Sequence, residues 1–160
     1  MPPVAPPRIA LAISNDAVTD QRVHKMCLTL AQLGYRPVLV GRQRQASLPL
    51  APRPYPTHRL RVWPESGPGF YAALNVRLLA WLLGQKLDAI TANDLDTLPA
   101  CYLASRLKGI PLIYDSHEYF TGAPELAARP RVRAVWHALE RWLLPRTRHR
   151  ITVNPAVAQR

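Results

Sequence analysis

Residues 111–120, Pro-Leu-Ile-Tyr-Asp-Ser-His-Glu-Tyr-Phe, join a short apolar run to a polar one. The apolar part, residues 111–114, is typical of a buried strand. The polar part consists of Asp115, Ser116, His117 and Glu118. Polar side chains at the end of a buried strand are costly unless they are solvated or paired. Because ligands of open α/β sheets bind at the carboxyl ends of the strands, residues 115–118 are the first candidate site.

The amino-terminal part of the chain predicts a strand–helix–strand unit. Residues 9–13 form a continuous apolar run, and residues 37–41 form a second one. Between them, Thr19 or Asp20 caps a predicted amphipathic helix that continues to about Leu33. Gly34 follows as a natural helix stop. The order of these elements indicates a parallel βαβ unit.

The same alternation continues to the end of the chain. Further strands are predicted at residues 58–63 (near a sheet edge), 89–92 and 150–153, and helices at residues 70–86, 131–144 and between a cap at Asp94 or Asp96 and Lys108. This pattern predicts the α/β class, with a mostly parallel sheet of about six strands, right-handed crossovers and helices on both faces. Residues 1–7 are predicted to be a disordered proline-rich tail, and residues 8–160 one domain.

Four predicted strands end in polar residues, which a parallel sheet gathers on one rim. They are Ser14-Asn15-Asp16, Asn93-Asp94, residues 115–118, and Asn154. Each alone is explained as a helix cap, but their convergence around a histidine favours a site. His117 can act there as an acid, a base or a hydrogen-bond donor. Arg22 and Lys25 can meet a phosphate at the start of the first helix, or form a solvated face.

Several familiar site patterns are absent from the sequence. It contains no HxH or HExxH spacing for a metal, so no metal is expected. It also lacks the G-x-S-x-G of hydrolases, the G-x-G-x-x-G of dinucleotide-binding folds and the P-loop. Cys27 and Cys101 are far apart and lie in apolar helical patterns, which indicates buried free thiols in a reducing compartment.

The net charge of +11, from 21 Lys+Arg against 10 Asp+Glu, indicates an anionic partner or simply an arginine-rich proteome. Nucleic acid is not expected, because the chain offers neither stacking aromatics on an open sheet nor a recognition helix. The arginine-rich helix 131–144, with Trp136 and Trp142, is either a core helix or a contact with an anionic membrane. Without a signal peptide or a long apolar run, we expect a cytoplasmic protein, with peripheral membrane contact at most.

Four segments together resemble the N-terminal domain of bacterial family 4 glycosyltransferases. They are residues 14–25 (Ser-Asn-Asp-Ala-Val-Thr-Asp-Gln-Arg-Val-His-Lys), 92–98 (Ala-Asn-Asp-Leu-Asp-Thr-Leu), 114–120 (Tyr-Asp-Ser-His-Glu-Tyr-Phe) and 152–154 (Thr-Val-Asn). The resemblance runs from about Arg8 to Arg160. It implies a GT-B architecture, in which two Rossmann-like domains enclose the active site and the N-terminal domain holds the acceptor.

The resemblance also implies an activity and a set of site residues. The activity is retaining transfer, without a cofactor or bound metal, from a UDP- or GDP-linked sugar to a glycan or lipid-linked acceptor in cell envelope polysaccharide biosynthesis. His117 would contact the transferred sugar. Four residues would face the donor: Asn15, Asp16, Asp20 and Arg22. Five would face the acceptor: Asn93, Asp94, Asp115, Glu118 and Asn154.

The sequence departs from the family pattern in two ways. The loop after the first strand is not glycine-rich, and the E-x₇-E segment of the donor-binding C-terminal domain is absent. We therefore expect the 160-residue chain by itself to be inactive, because stabilising a leaving diphosphate needs groups on both sides of the cleft. The alternatives are a stand-alone α/β module that binds an anionic ligand, and a subunit that pairs with a separate donor domain.

Overall fold

The computed structural model of the protein describes residues 5–117 and 129–152. Its strands are β1 (Arg8–Asp16), β2 (Arg36–Gln43), β3 (Thr57–Arg61), β4 (Ala89–Asn93), β5 (Leu112–Ser116) and β6 (His149–Thr152). Its helices are α1 (Gln21–Gln32), α2 (Gly67–Gly84), α3 (Leu98–Lys108) and α4 (Pro130–Leu143), with a 3₁₀ turn at Leu144–Arg146. The predicted alternation of strands and helices is confirmed.

The six strands form one sheet in the order β3-β2-β1-β4-β5-β6, and every neighbouring pair is parallel. The predicted parallel sheet and the edge position of β3 are therefore confirmed. The chain moves outward from β1 to β3 and then crosses to β4 on the other side of β1. In this Rossmann-like order the crevice between the carboxyl ends of β1 and β4 is the usual ligand-binding position.

The period-2 alternation of β1 divides the apolar core between the two faces of the sheet. Ile9, Leu11 and Ile13 pack in a cluster with Val23 and Cys27 of α1. Ala10 and Ala12 belong to the larger cluster on the opposite face, with α2, α3 and α4. The buried residues that α2 contributes are Phe70, Leu74, Leu78 and Leu82. Three layers result, and both cysteines are buried free thiols, as predicted.

The helix ends show which capping predictions are right. The Asp20 side chain accepts a hydrogen bond from the Val23 backbone N–H at 3.0 Å, so Asp20 caps α1 as predicted. Gly34 and Gly109 adopt positive φ angles of 84° and 65°, the left-handed conformation that ends α1 and α3.

The predicted capping of α3 by Asp94 or Asp96 is wrong. This helix begins at Leu98, and Thr97 stands at its cap position without a capping side-chain bond. The Asn75 side chain of α2 accepts from the Ala100 N–H at 3.0 Å, and it donates to the Asp96 carbonyl at 2.8 Å. A side chain of the neighbouring α2 therefore bonds the backbone groups at the start of α3. A local sequence pattern cannot reveal such a contact.

Two other predictions are adjusted by the structure. Residues 5–7 are exposed, but the Pro7 carbonyl accepts a hydrogen bond from the Arg36 N–H at 2.9 Å, so ordered pairing begins just before residue 8. The helix α4, predicted as either a core helix or a membrane contact, buries Trp136 and Leu143 in the core and exposes Val135 and Trp142. No helix within residues 5–117 and 129–152 has both the length and the apolar content needed to cross a bilayer.

Candidate functional site

The carboxyl ends of β4 and β5 are joined directly at the rim. Asn93 and Asp115 are register partners in these strands. The Asp94 N–H donates to the Asp115 carbonyl at 3.0 Å. The His117 N–H then donates to the Asp94 side chain at 3.1 Å. These bonds fix the backbone that carries His117, so its imidazole has a defined position at the edge of the crevice.

The His117 side chain faces two oxygen acceptors. Its Nδ1 lies 3.2 Å from the Asp115 carbonyl oxygen and 3.4 Å from Asp94 Oδ1. A proton on Nδ1 is therefore donated to the protein, which leaves Nε2 to serve a ligand. No hydrogen bond to Nε2 is made by any residue in the described ranges, and the side chain is 18% exposed. The geometry suits a hydrogen-bonding contact with a bound substrate.

Asp94 occupies an uncommon backbone conformation. Its φ of 67° makes it the one non-glycine residue with positive φ in the described parts of the chain. Aspartate tolerates the left-handed region better than most residues do, although the conformation still carries a cost. Here the left-handed conformation directs the Asp94 carboxylate toward His117, and α3 begins only at Leu98. Strain of this kind is a common feature of functional sites.

An ion pair between Arg22 and Asp115 connects α1 to β5 across the rim. Arg22 Nη2 lies 2.7 Å from Asp115 Oδ1 and 2.8 Å from Oδ2. Asp115 lies inside β5 and its side chain is only 2% exposed, whereas Arg22 is 37% exposed. The inference that the strand ends before Asp115 is therefore wrong. Both carboxylate oxygens of Asp115 accept hydrogen bonds from Arg22. Contact of Asp115 with an acceptor stays a prediction.

The paired guanidinium of Arg22 still has donor capacity. Its Nη1 is buried and has no hydrogen-bond partner among the residues that the structure describes. A buried unsatisfied donor is unfavourable, so a small movement of the side chain that brings Nη1 to a ligand oxygen would gain a strong charge-assisted bond. The predicted orientation of Arg22 toward the donor phosphates stays a prediction that this geometry supports.

We expect Arg22→Leu to lower the free energy of unfolding by about 2 kcal/mol, because it leaves the Asp115 carboxylate buried without its cation. The loss should be smaller than for a fully buried pair, since Arg22 is partly solvated. Urea unfolding at neutral pH measures it, with the exposed Arg77→Leu as control. In an Asp115→Asn background, Arg22→Leu should cost less than about 0.5 kcal/mol. An equal cost in both backgrounds would show that the pair contributes nothing.

The Asp16 carboxylate organises the turn between β1 and α1. It accepts from the Val18 N–H at 3.1 Å, from Arg59 Nη2 at 3.3 Å and from the Ser47 hydroxyl. Burial raises the pKa of Asp16, but the hydrogen bonds from Ser47 and Val18 and the charge of Arg59 outweigh it, and the pKa falls below its usual value. Asp16 therefore ties the loop after β2 to the rim, and Asn15 beside it is exposed.

Two buried side chains lie beneath the crevice between β1 and β4. Asn93 Nδ2 donates to the Ala12 carbonyl at 3.0 Å, which ties β4 to β1. The Asp96 carboxyl is buried, and this burial raises its pKa to about 7, further raised by the Asp94 charge and opposed by a hydrogen bond with the Ser14 side chain. Asp96 thus holds a proton in a range where an exposed aspartate is ionised.

The structure brings some predicted site residues together and leaves others apart. His117, Asp94, Asp115 and Arg22 form one cluster, which we call the rim cluster. Asn15, Asp16 and Asp20 form the adjacent β1–α1 turn, where Asp16 and Asp20 already serve the turn and the cap. Asn93 is buried beneath the crevice, and Glu118 and Asn154 lie outside the described residues. The roles of all these residues toward substrates stay predictions.

Sequence reasoning missed several residues that shape the site. Ser47 and Arg59 reach Asp16 from the loop after β2 and from β3, and Asn75 and Asp96 meet at the start of α3. The opposite charges of Asp16 and the arginines of β3 indicated that an ion pair could form. Charge alone does not show which arginine pairs with Asp16. Within the described ranges, no group of three or more His, Cys, Asp or Glu side chains is placed to hold a metal ion.

Solved structures share this fold at low sequence identity. The SsfS6 glycosyltransferase of Streptomyces sp. SF2575 aligns with a TM-score of 0.54 and 17% identity over 94% of this chain and 51% of its own. The Os79 protein of O. sativa aligns with a TM-score of 0.52 and 17% identity, over 77% of this chain and 32% of its own. The UDP-GlcNAc 2-epimerase of Methanocaldococcus jannaschii aligns with a TM-score of 0.51 and 12% identity, over 82% of this chain and 37% of its own. The chain thus spans about a third to a half of the length of these proteins.

Sequence comparison assigns the family. A search of curated proteins found no matching sequence. Residues 19–160 match the family described as "Glycosyl transferase 4-like domain", and this match includes the rim cluster and α1 to β6. The family agrees with the N-terminal glycosyltransferase domain that the sequence motifs resemble. The chain therefore belongs to the glycosyl transferase 4-like domain family.

Proposed function

We propose that this chain is the acceptor-side domain of a retaining glycosyltransferase. The enzyme transfers a hexosyl group from a UDP- or GDP-linked sugar to a glycan or lipid-linked acceptor of the cell envelope, in the cytoplasm and without a metal ion. The observation that carries this proposal is the rim cluster, in which an oriented histidine stands beside a partly unsatisfied arginine at the carboxyl edge of the sheet. It lies within the segment that matches the glycosyltransferase family.

The rim cluster offers suitable groups for this reaction. The Arg22 side chain, which is 37% exposed and has an unsatisfied Nη1, offers a cationic donor to a phosphate oxygen, and Nε2 of His117 is available to a sugar hydroxyl. In structural relatives, Os79 was solved in complex with UDP and deoxynivalenol-3-glucoside, and the Methanocaldococcus protein is a UDP-GlcNAc epimerase. Both names support a nucleotide sugar as the ligand of this fold, and the family match favours transfer over epimerisation.

A transfer assay on the natural protein that carries this domain tests the proposal. The protein is incubated with a panel of UDP- and GDP-sugars and with membrane or polysaccharide acceptors, and the product is analysed by NMR. We expect one donor to be used, with the anomeric configuration retained and activity unaffected by EDTA. An inverted product would contradict the retaining mechanism, and epimerised donor without transfer would contradict transferase activity.

A lipid-linked acceptor also implies a membrane partner. We include peripheral contact with an anionic membrane in the proposal, because the chain carries a net charge of +11 and exposes both arginines and large apolar side chains on α3 and α4. This contact does not depend on the identity of the sugar.

A further inference from the structure

A basic pocket lies at the opposite end of the sheet from the rim cluster. It occupies about 300 Å³ where α3 ends, β5 begins and the 3₁₀ turn leads into β6. Four basic side chains line it: Arg106, Arg146, Arg148 and His149. No aspartate or glutamate is among its lining residues in the described part of the chain. Basic side chains crowded around a cavity repel one another, so an anion bound between them lowers their electrostatic energy.

Exposed apolar side chains stand on α3 and α4, whose carboxyl ends border this pocket. Leu103 and Leu107 of α3 are 45% and 70% exposed, and they share one helix face because they are four residues apart. Trp142 of α4 is 48% exposed and meets the ring of Tyr102, a pocket-lining residue, edge-on at 5.5 Å. Large apolar side chains grouped on a surface mark an interaction site more often than isolated ones do.

Arg146 joins the apolar and basic parts of the surface. Its guanidinium lies 4.9 Å from the centre of the Trp142 ring, and Nη1 donates to the Trp142 carbonyl at 2.7 Å. The guanidinium is thus held at the pocket beside an exposed tryptophan. Tryptophan and arginine side by side are typical of surfaces that rest at the boundary between lipid headgroups and acyl chains.

The acidic residues of α3 and α4 do not neutralise this surface. Helix α3 contains none, and α4 contains only Glu140. Glu140 Oε2 lies 3.7 Å from His137 Nδ1, and its side chain is largely buried. The positive charges of Arg106, Arg146 and Arg148 at the pocket are therefore not cancelled by α3 or α4.

We propose that this surface, which comprises the pocket and the side chains of Leu103, Leu107 and Trp142, docks on an anionic phospholipid bilayer. The pocket holds a lipid phosphate between its arginines, and the apolar side chains enter the interface beside it. The inference deepens the membrane contact of the proposed function and assigns it to a surface. The rim cluster lies at the other ends of β4 and β5, so this surface anchors the domain without covering the rim cluster and does not itself bring a lipid-linked acceptor to it.

Vesicle sedimentation with the 160-residue chain tests this inference. Vesicles of phosphatidylcholine alone are compared with vesicles that contain 30 mol% phosphatidic acid, a mixture chosen as a probe of lipid phosphate. We expect binding only to the acidic vesicles, weakening as salt is added. Arg106→Gln with Arg148→Gln should weaken it about 25-fold, since each arginine near an anionic surface contributes about fivefold.

Matched variants distinguish binding through this surface from binding through the net charge of the whole chain. Arg36→Gln with Arg77→Gln removes the same charge from exposed positions outside the pocket, and it should weaken binding less than about fivefold. Leu107→Gln should weaken binding, whereas Leu33→Gln, at a similarly exposed position after α1, should not. Equal losses from the two arginine pairs would overturn the proposal.

Two further results would also overturn it. One is binding of inorganic phosphate in calorimetry without any binding to vesicles, which would mark a site for a free ion. The other is self-association through this surface, seen as a dimer that Leu107→Gln dissociates, without vesicle binding. Because the assay involves no sugar transfer, the membrane surface and the transferase activity can each fail independently.

Discussion

Replacing His117 by alanine in the natural protein that carries this domain should lower kcat for sugar transfer by about 10²–10³-fold, the range seen when a preorganised hydrogen-bond donor is removed from a transition state. The imidazole is held through Nδ1 by the Asp115 carbonyl and Asp94, so in the proposed role Nε2 would meet the sugar without reorganisation. KM for the donor should change much less, because a contact formed mainly in the transition state lowers kcat. Initial rates at saturating donor and acceptor measure both constants.

Two variants test whether the imidazole itself is responsible. His117→Gln keeps an N–H donor on a side chain of similar reach and should recover part of the lost rate. His137→Ala removes a partly exposed histidine of α4 that is not a member of the rim cluster, and it should leave the rate unchanged. An unchanged rate in His117→Ala, with an unchanged thermal midpoint, would remove His117 from the mechanism.

Asp94 contributes to the same site by positioning His117. Its carboxylate accepts from the His117 N–H and lies close to Nδ1, so it positions the ring without being required to touch the substrate. This arrangement explains why an aspartate is tolerated in a left-handed conformation at the end of β4. It also makes the β4 and β5 ends one unit, in which the position of His117 depends on Asp94.

Local sequence patterns predicted most elements of the fold but not how they meet. Apolar runs and periodicity located the strands and helices, because these signals depend on residues close in the chain. The pair of Arg22 and Asp115 is separated by 93 positions, and the cap of α3 comes from Asn75 on α2. Such contacts depend on strand order and helix packing, which a single sequence does not determine.

The candidate site was predictable only as a set of residues on a shared rim. Polar strand ends converge in any parallel sheet, so the proximity of Asn93, Asp94 and Asp115 followed from the predicted fold. Whether a carboxylate faces solvent or the interior depends on neighbours from other elements. Asp115 lies within β5 under Arg22, and Asp96 is buried beneath the crevice. Neither burial has a signature in the local sequence.

The buried Asp96 carboxyl should make the stability of the domain depend on pH. Its pKa is raised to about 7 in the folded state, mainly by burial, against 3.8 as the ordinary value. Between these values the folded state binds a proton that the unfolded state has released, so the free energy of unfolding falls as pH rises. The loss should begin near pH 4 and level off above pH 7. With about three pH units at 1.36 kcal/mol each, it amounts to roughly 4 kcal/mol.

The variant Asp96→Asn isolates this effect, because asparagine resembles the protonated carboxyl in shape and carries no charge. At pH 4 it should match the natural chain within about 1 kcal/mol, whereas at pH 8 it should be more stable by several kcal/mol, on the order of the ionisation cost that it avoids. Urea unfolding at intervals from pH 4 to 8 measures the difference, and taking that difference cancels the titration of groups that do not interact with Asp96. The control is Asp88→Asn, at the exposed amino end of β4, which removes the same charge and leaves the buried Asp96 carboxyl in place. Parallel stability curves for the natural chain and Asp96→Asn would contradict a neutral Asp96, and the carboxylate would then have to be stabilised as an ion by Ser14 and the start of α3.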